Sequence, residues 1–91
     1  MKYSQKVLNM LATAVSGEID DFWDFSFEFN ALFGENEEFA NGWDAENPEM
    51  FDLLNDYEIM MFLEEHDTSD KQGFIDFLKP YYDKARKLVK P

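Results

Sequence analysis

The groups in this chain that could do chemistry are almost all carboxylates: there are 20 acids, a single histidine, His66, and no cysteine. Thiolate nucleophiles, disulfides and cysteine-based zinc sites are thereby excluded. His66 stands between Glu65 and Asp67, with no Ser/His/Asp motif around it, and Leu63 occupies the position where a Glu-x-x-His di-iron signature needs its carboxylate. The segment "ENEEFANGWDAE" is acidic enough for calcium, but Ala40 takes the sixth place, where the loop needs glycine. No glycine-rich phosphate loop is present. Paired-carboxylate hydrolysis requires two acids with separated pKa values in a pocket, and these acids read as exposed and interchangeable. The expectation is a protein that is no enzyme and uses no cofactor and no metal.

What carboxylates in this number can do is recognise positive charge. The net charge is -12, from 20 acids against 8 bases. No lysine or arginine occurs between Lys6 and Lys71, a gap that holds 18 of the acids. Such a chain repels phosphate backbones and anionic lipid, which argues against direct nucleic-acid or membrane binding and for a basic protein partner. Within residues 17–39, "GEIDDFWDFSFEFNALFGENEEF", acids alternate with seven aromatic residues. On a helical wheel Asp20, Asp24 and Glu28 stack at four-residue spacing, with Asp21 in the same arc. Like charges so placed cost a helix about 0.2–0.5 kcal/mol per pair. Asp20 and Asp21 would be offset by the helix dipole in the first turn, but Asp24 and Glu28 would not. A second group, Glu35, Glu37, Glu38, Asp44 and Glu46, surrounds Trp43. An exposed tryptophan among acids would anchor an arginine by cation–π contact and ion pairing; a tryptophan tucked into the core is the equal alternative. These ten residues are the candidate partner-binding set.

The elements that must hold them read as helices. Residues 3–16 carry Val7, Leu8, Leu11 and Val15 at helical spacing, stopped by Gly17. The opening lysines and apolar run also suggest a secretion signal, but Asn9, Met10 and Thr13 interrupt it, so a mature helix is expected. Residues 18–33 alternate like a strand around Phe25, Phe27 and Phe29, yet Asp21 would then sit on the apolar face, and a helix ended by Gly34 fits better. Residues 34–47 read as a long polar loop pinned by Phe39 and Trp43. Asn47-Pro48 opens a third helix. The stretch 48–66 is either one helix or two, broken at Asn55-Asp56. Ser69 to Gln72 fits a capping box for the last helix, in which Pro80 should cause a kink. The expected architecture is a single all-α domain over residues 1–91, a bundle of four helices, or five if the break is real. No segment is long or apolar enough to span a bilayer, and the expected location is cytoplasmic.

The stretch "MLATAVSGEIDDFWDFSFEFNALFGEN" is similar to the opening of colicin D-type immunity proteins and of immunity proteins from contact-dependent inhibition systems. Gly17, Ile19, Phe22, Phe25, Phe29, Leu32 and Phe33 follow the outline of a first helix, a small G-x-I turn and a second helix of the form F-x-x-x-F-x-x-L-F. The resemblance covers about a third of the chain; "MFDLLNDYEIMMF" and "GFIDFLKPYYDKA" follow it loosely. It implies a small helical antidote, monomeric when free, that blocks a cognate toxin. For the colicin D type the toxin is a tRNA-cleaving nuclease whose basic cleft receives the antidote's carboxylates. An acidic nucleic-acid mimic and a helical interaction module that binds through exposed aromatic surface are the other readings.

Overall fold

Val7, Leu8, Leu11 and Ala14 form the buried stripe of the first helix, α1 (Lys2–Val15). In the computed structural model, which describes residues 1–89, it is followed by α2 (Trp23–Ala31), α3 (Glu37–Glu46), α4 (Pro48–Leu54), α5 (Tyr57–Glu65) and α6 (Lys71–Leu88). Among the described residues every regular element is a helix, and there are six, not the four or five expected.

One helix beyond the expected set comes from residues 34–47, read as a loop, of which Glu37–Glu46 are helical. The Asn36 side chain caps α3 by accepting from the Phe39 N–H at 3.2 Å, and Phe39, Ala40 and Trp43 then bury one face of it. Gly42, one of the two glycines that suggested a loop, sits inside this helix. A Cβ there would come within 2.5 Å of the Tyr3 ring, so the glycine serves the close approach of α1 and not a turn. Residues 48–66 form two helices: α4 ends at Leu54, and the Asp56 carboxylate caps α5 through the Glu58 N–H at 2.8 Å.

Asn47 joins α3 to α4 and is itself buried. Its N–H closes α3 on the Trp43 carbonyl at 2.8 Å. Its side chain accepts from the Met50 N–H at 3.2 Å and donates to the Leu88 carbonyl at 3.0 Å. Helix α2 is shorter than the expected 18–33. Gly17, at φ 87°, turns the chain out of α1. Phe22 is then buried ahead of α2, its N–H bonded to the Thr68 carbonyl at 2.8 Å and its ring stacked on Phe74 at 4.5 Å. Asp70, not Ser69, caps α6, because the Ser69 hydroxyl donates to Asp67 at 2.7 Å. The helix runs on through Pro80.

Helix α1 lies along α6, α3 joins α1 to α4, α4 packs on α6, and α2 packs on α5. The core between them is largely aromatic. Trp43 meets Phe51 at 5.1 Å and Phe33 at 5.3 Å between ring centroids, spacings at which aromatic pairs attract beyond their buried area. No helix of the described residues is long and apolar enough to cross a membrane.

Candidate protein-interaction surface

A nine-residue helix carrying four aromatic residues cannot bury them all on one side. In α2, Phe25 and Phe29 point into the core together with Ser26. Trp23 and Phe27 are two residues out of step with them, roughly 200° away on the helix. They are accordingly exposed, at 64% and 61%, and stack on each other at 6.1 Å with an 8° tilt. Asp24 and Glu28 follow each of them by one residue, which sets a carboxylate row beside the aromatic pair. Both acids are exposed. With Asp21 they line a cleft of about 350 Å³ between α1 and α2, floored by Met10, Ile19 and Phe25.

The other expected residues are distributed differently. Asp20 is 93% exposed and is paired with Lys71 at 3.1 Å, the one Lys–carboxylate ion pair among the described residues. At that exposure the pair does little to hold either side chain. Asp21 accepts from the Trp23 N–H at 2.9 Å and so also serves the start of α2. Glu35, Glu37, Glu38 and Asp44 are exposed. Glu38 borders a separate cleft with Lys2, Lys6 and Phe39, where it meets bases from α1 instead of extending an unbroken acidic surface.

For Trp43 the structure takes the buried alternative and overturns the exposed anchor, and Glu46 is drawn into contacts within the fold. Trp43 is fully buried, so it is a core residue and not an arginine anchor; its indole N–H has no hydrogen-bond partner among the described residues. Glu46 is committed to the scaffold. Met1, at the cap position of α1, offers no side-chain oxygen. The Glu46 carboxylate supplies it from 42 residues downstream, accepting from Ser4 N–H at 2.8 Å, Ser4 Oγ at 2.7 Å and Tyr3 N–H at 3.2 Å. Partial burial pushes the Glu46 carboxyl up, but these hydrogen bonds, chiefly from Ser4, prevail and hold it below the usual carboxylate range.

His66 closes α5, stacks on Phe62 at 4.3 Å and meets Asp70 Oδ2 at 2.7 Å. It thus ties the end of one helix to the cap of the next. Among the described residues no three His, Asp or Glu side chains are grouped so as to hold a metal ion.

Sequence reasoning placed Asp24 and Glu28 together but missed the aromatic pair beside them. The signal was present: Phe25/Phe29 and Trp23/Phe27 are two i, i+4 pairs offset by two, which a helix must send to opposite faces. In comparisons with known proteins, no family model, curated protein or solved structure matches the chain.

Proposed function

We propose that this protein is a cytoplasmic, immunity-type inhibitor that binds a cationic nuclease toxin domain and covers its basic cleft. The observation that carries this reading is the exposed face of α2, where the Asp24–Glu28 row runs beside the stacked Trp23 and Phe27 with no base on the helix. Carboxylates speed the encounter with a positive cleft. An exposed aromatic pair then supplies the desolvated contact that charges on a rim do not. The contact is centred on Asp21, Asp24 and Glu28 with Trp23 and Phe27. Asp20, Glu35, Glu37, Glu38 and Asp44 act at longer range, through the field of the acidic block. Trp43 and Glu46 belong to the scaffold.

The test is to sequence the genes adjacent to this one and co-express the chain with a nuclease toxin domain found there; finding none argues against the reading. The parent chain restores growth and binds the toxin. Asp24→Lys combined with Glu28→Lys weakens binding by well over tenfold, about 1.4 kcal/mol or more, and flattens its dependence on salt. An unchanged dissociation constant would remove α2 from the contact. The exposed aromatic pair also favours a second reading, a helical interaction module that binds mainly through apolar surface. In that case affinity is nearly independent of salt between about 50 and 200 mM, whereas the inhibitor reading requires strong weakening across that range.

A further inference from the structure

Apart from Met1, the large hydrophobic side chains left exposed are Trp23, Phe27, Tyr57 and Met60, at 64%, 61%, 69% and 39%. They come from α2 and α5, which pack on each other. Asn30 lies one turn beyond Phe27 on the same line of α2, and it lines a groove of about 280 Å³ with Phe33, Leu54, Ile59, Tyr57 and Met60. The aromatic pair of α2 therefore continues across Asn30 into an apolar groove at the start of α5. From Trp23 to Asn30 alone the strip runs about 10 Å, two helical turns.

Its border is acidic at both ends. Asp24 and Glu28 follow Trp23 and Phe27 by one residue each on α2, and at the other end Asp56 is among the residues that line the groove, with exposed Glu58 beside Tyr57 at the start of α5. None of these four acids is ion-paired with a base among the described residues. That charge selects the occupant. A second copy would bring acid against acid in a chain of net charge -12, and nucleic acid or anionic lipid would be repelled in the same way. A cationic helix fits: apolar side chains at i, i+3 and i+4 fill the strip, and arginines or lysines on its flanks reach these acids. We infer that this strip is the docking site for a cationic amphipathic helix of the partner protein. The inference rests on the proposed binding of a basic protein through α2 and adds the mode of engagement and the part played by α5.

The experiment titrates the full chain with a synthetic helix-forming peptide bearing leucines on one face and arginines along its flanks. A peptide of identical composition, scrambled to destroy the apolar face, is the comparison. The readout is the emission of Trp23, since Trp43 is already buried. The amphipathic peptide shifts that emission to the blue and binds at least about tenfold more tightly than the scrambled one. Met60→Asp and Tyr57→Ser, both at exposed positions, lower its affinity about tenfold while the helical circular dichroism stays at the parent value. Equal binding of both peptides, or Met60→Asp and Tyr57→Ser binding like the parent, overturns helix docking. Both results leave the cationic-partner reading standing, because that is judged by the Asp24/Glu28 variant against the toxin. A blue shift on vesicles of phosphatidylcholine and phosphatidylglycerol, or dimerisation abolished by Met60→Asp, also overturns it.

Discussion

Removing the Glu46 carboxylate should unfasten α1. The first turn of that helix presents N–H groups that have no partner inside the helix, and Met1 cannot cap them. Glu46 takes two of them, on Tyr3 and Ser4, and also the hydroxyl of Ser4, a residue with no exposed surface. In Glu46→Ala the lost cap costs about 1 kcal/mol. The lost negative charge at the positive end of the helix dipole adds about 0.5 kcal/mol. The orphaned Ser4 hydroxyl, sealed from water, adds about 1 kcal/mol more. The total is about 2–3 kcal/mol, which in a domain of this size lowers Tm by roughly 10–20 °C. Glu46→Gln keeps one acceptor oxygen but turns an amide N–H₂ toward a donor, and it should lose about half as much. Thermal unfolding followed by circular dichroism at neutral pH measures both, with Glu37→Gln as the exposed comparison, expected within about 0.5 kcal/mol of the parent. If Glu46→Ala melts with the parent, the long-range cap is not a stabilising contact. If it melts early yet still binds the toxin when folded, Glu46 belongs to the scaffold, as its geometry dictates.

Asn47→Ala removes both the α4 cap and the donor to the Leu88 carbonyl, and should cost about 2 kcal/mol in urea unfolding. Asn47→Asp, although an equally good cap by type, should also destabilise, because it cannot donate to Leu88. Two acids near Ser69 contribute, with Glu46, to the response to acid. At Asp67 the Ser69 hydroxyl and N–H, and at Asp70 the His66 ring and the Gly73 N–H, hold the carboxyls below their ordinary values. A carboxyl depressed in the folded state binds fewer protons there than in the unfolded chain. Its contribution is therefore complete above the unfolded value of about 4 and disappears as pH falls through the folded one. Asp70→Asn should lower Tm at pH 6, and the two melting curves should converge once the pH falls below the depressed carboxyl of the folded state; a gap that persists in strong acid would place the effect outside the ionised carboxylate.

The all-helical class, the stripe of α1 and the Asn47-Pro48 start were legible in the sequence; Asn55-Asp56 was legible only as the place where a break could fall, and the structure decided that it does. Each depends on neighbours within a turn or two: apolar spacing, a capping oxygen three residues from its N–H, or a proline with no N–H to lose. The concentration of acids between Lys6 and Lys71 is likewise a property of the chain alone. Which acids remain free to meet a partner is not. Glu46 looked like any surface acid until α3 carried it to the end of α1, and Trp43 could be an anchor or a core residue until Phe33 and Phe51 enclosed it. Gly42 read as part of a loop until Tyr3 came to lie against it. Trp23 and Phe27, apparently core residues, were left outside because α2 has only one neighbour-facing side and Phe25 and Phe29 fill it. Periodicity is written along the chain, but burial and hydrogen-bond supply are settled by residues on other helices, as far as 42 positions away for Glu46 and Ser4, and only the packed tertiary structure brings those together.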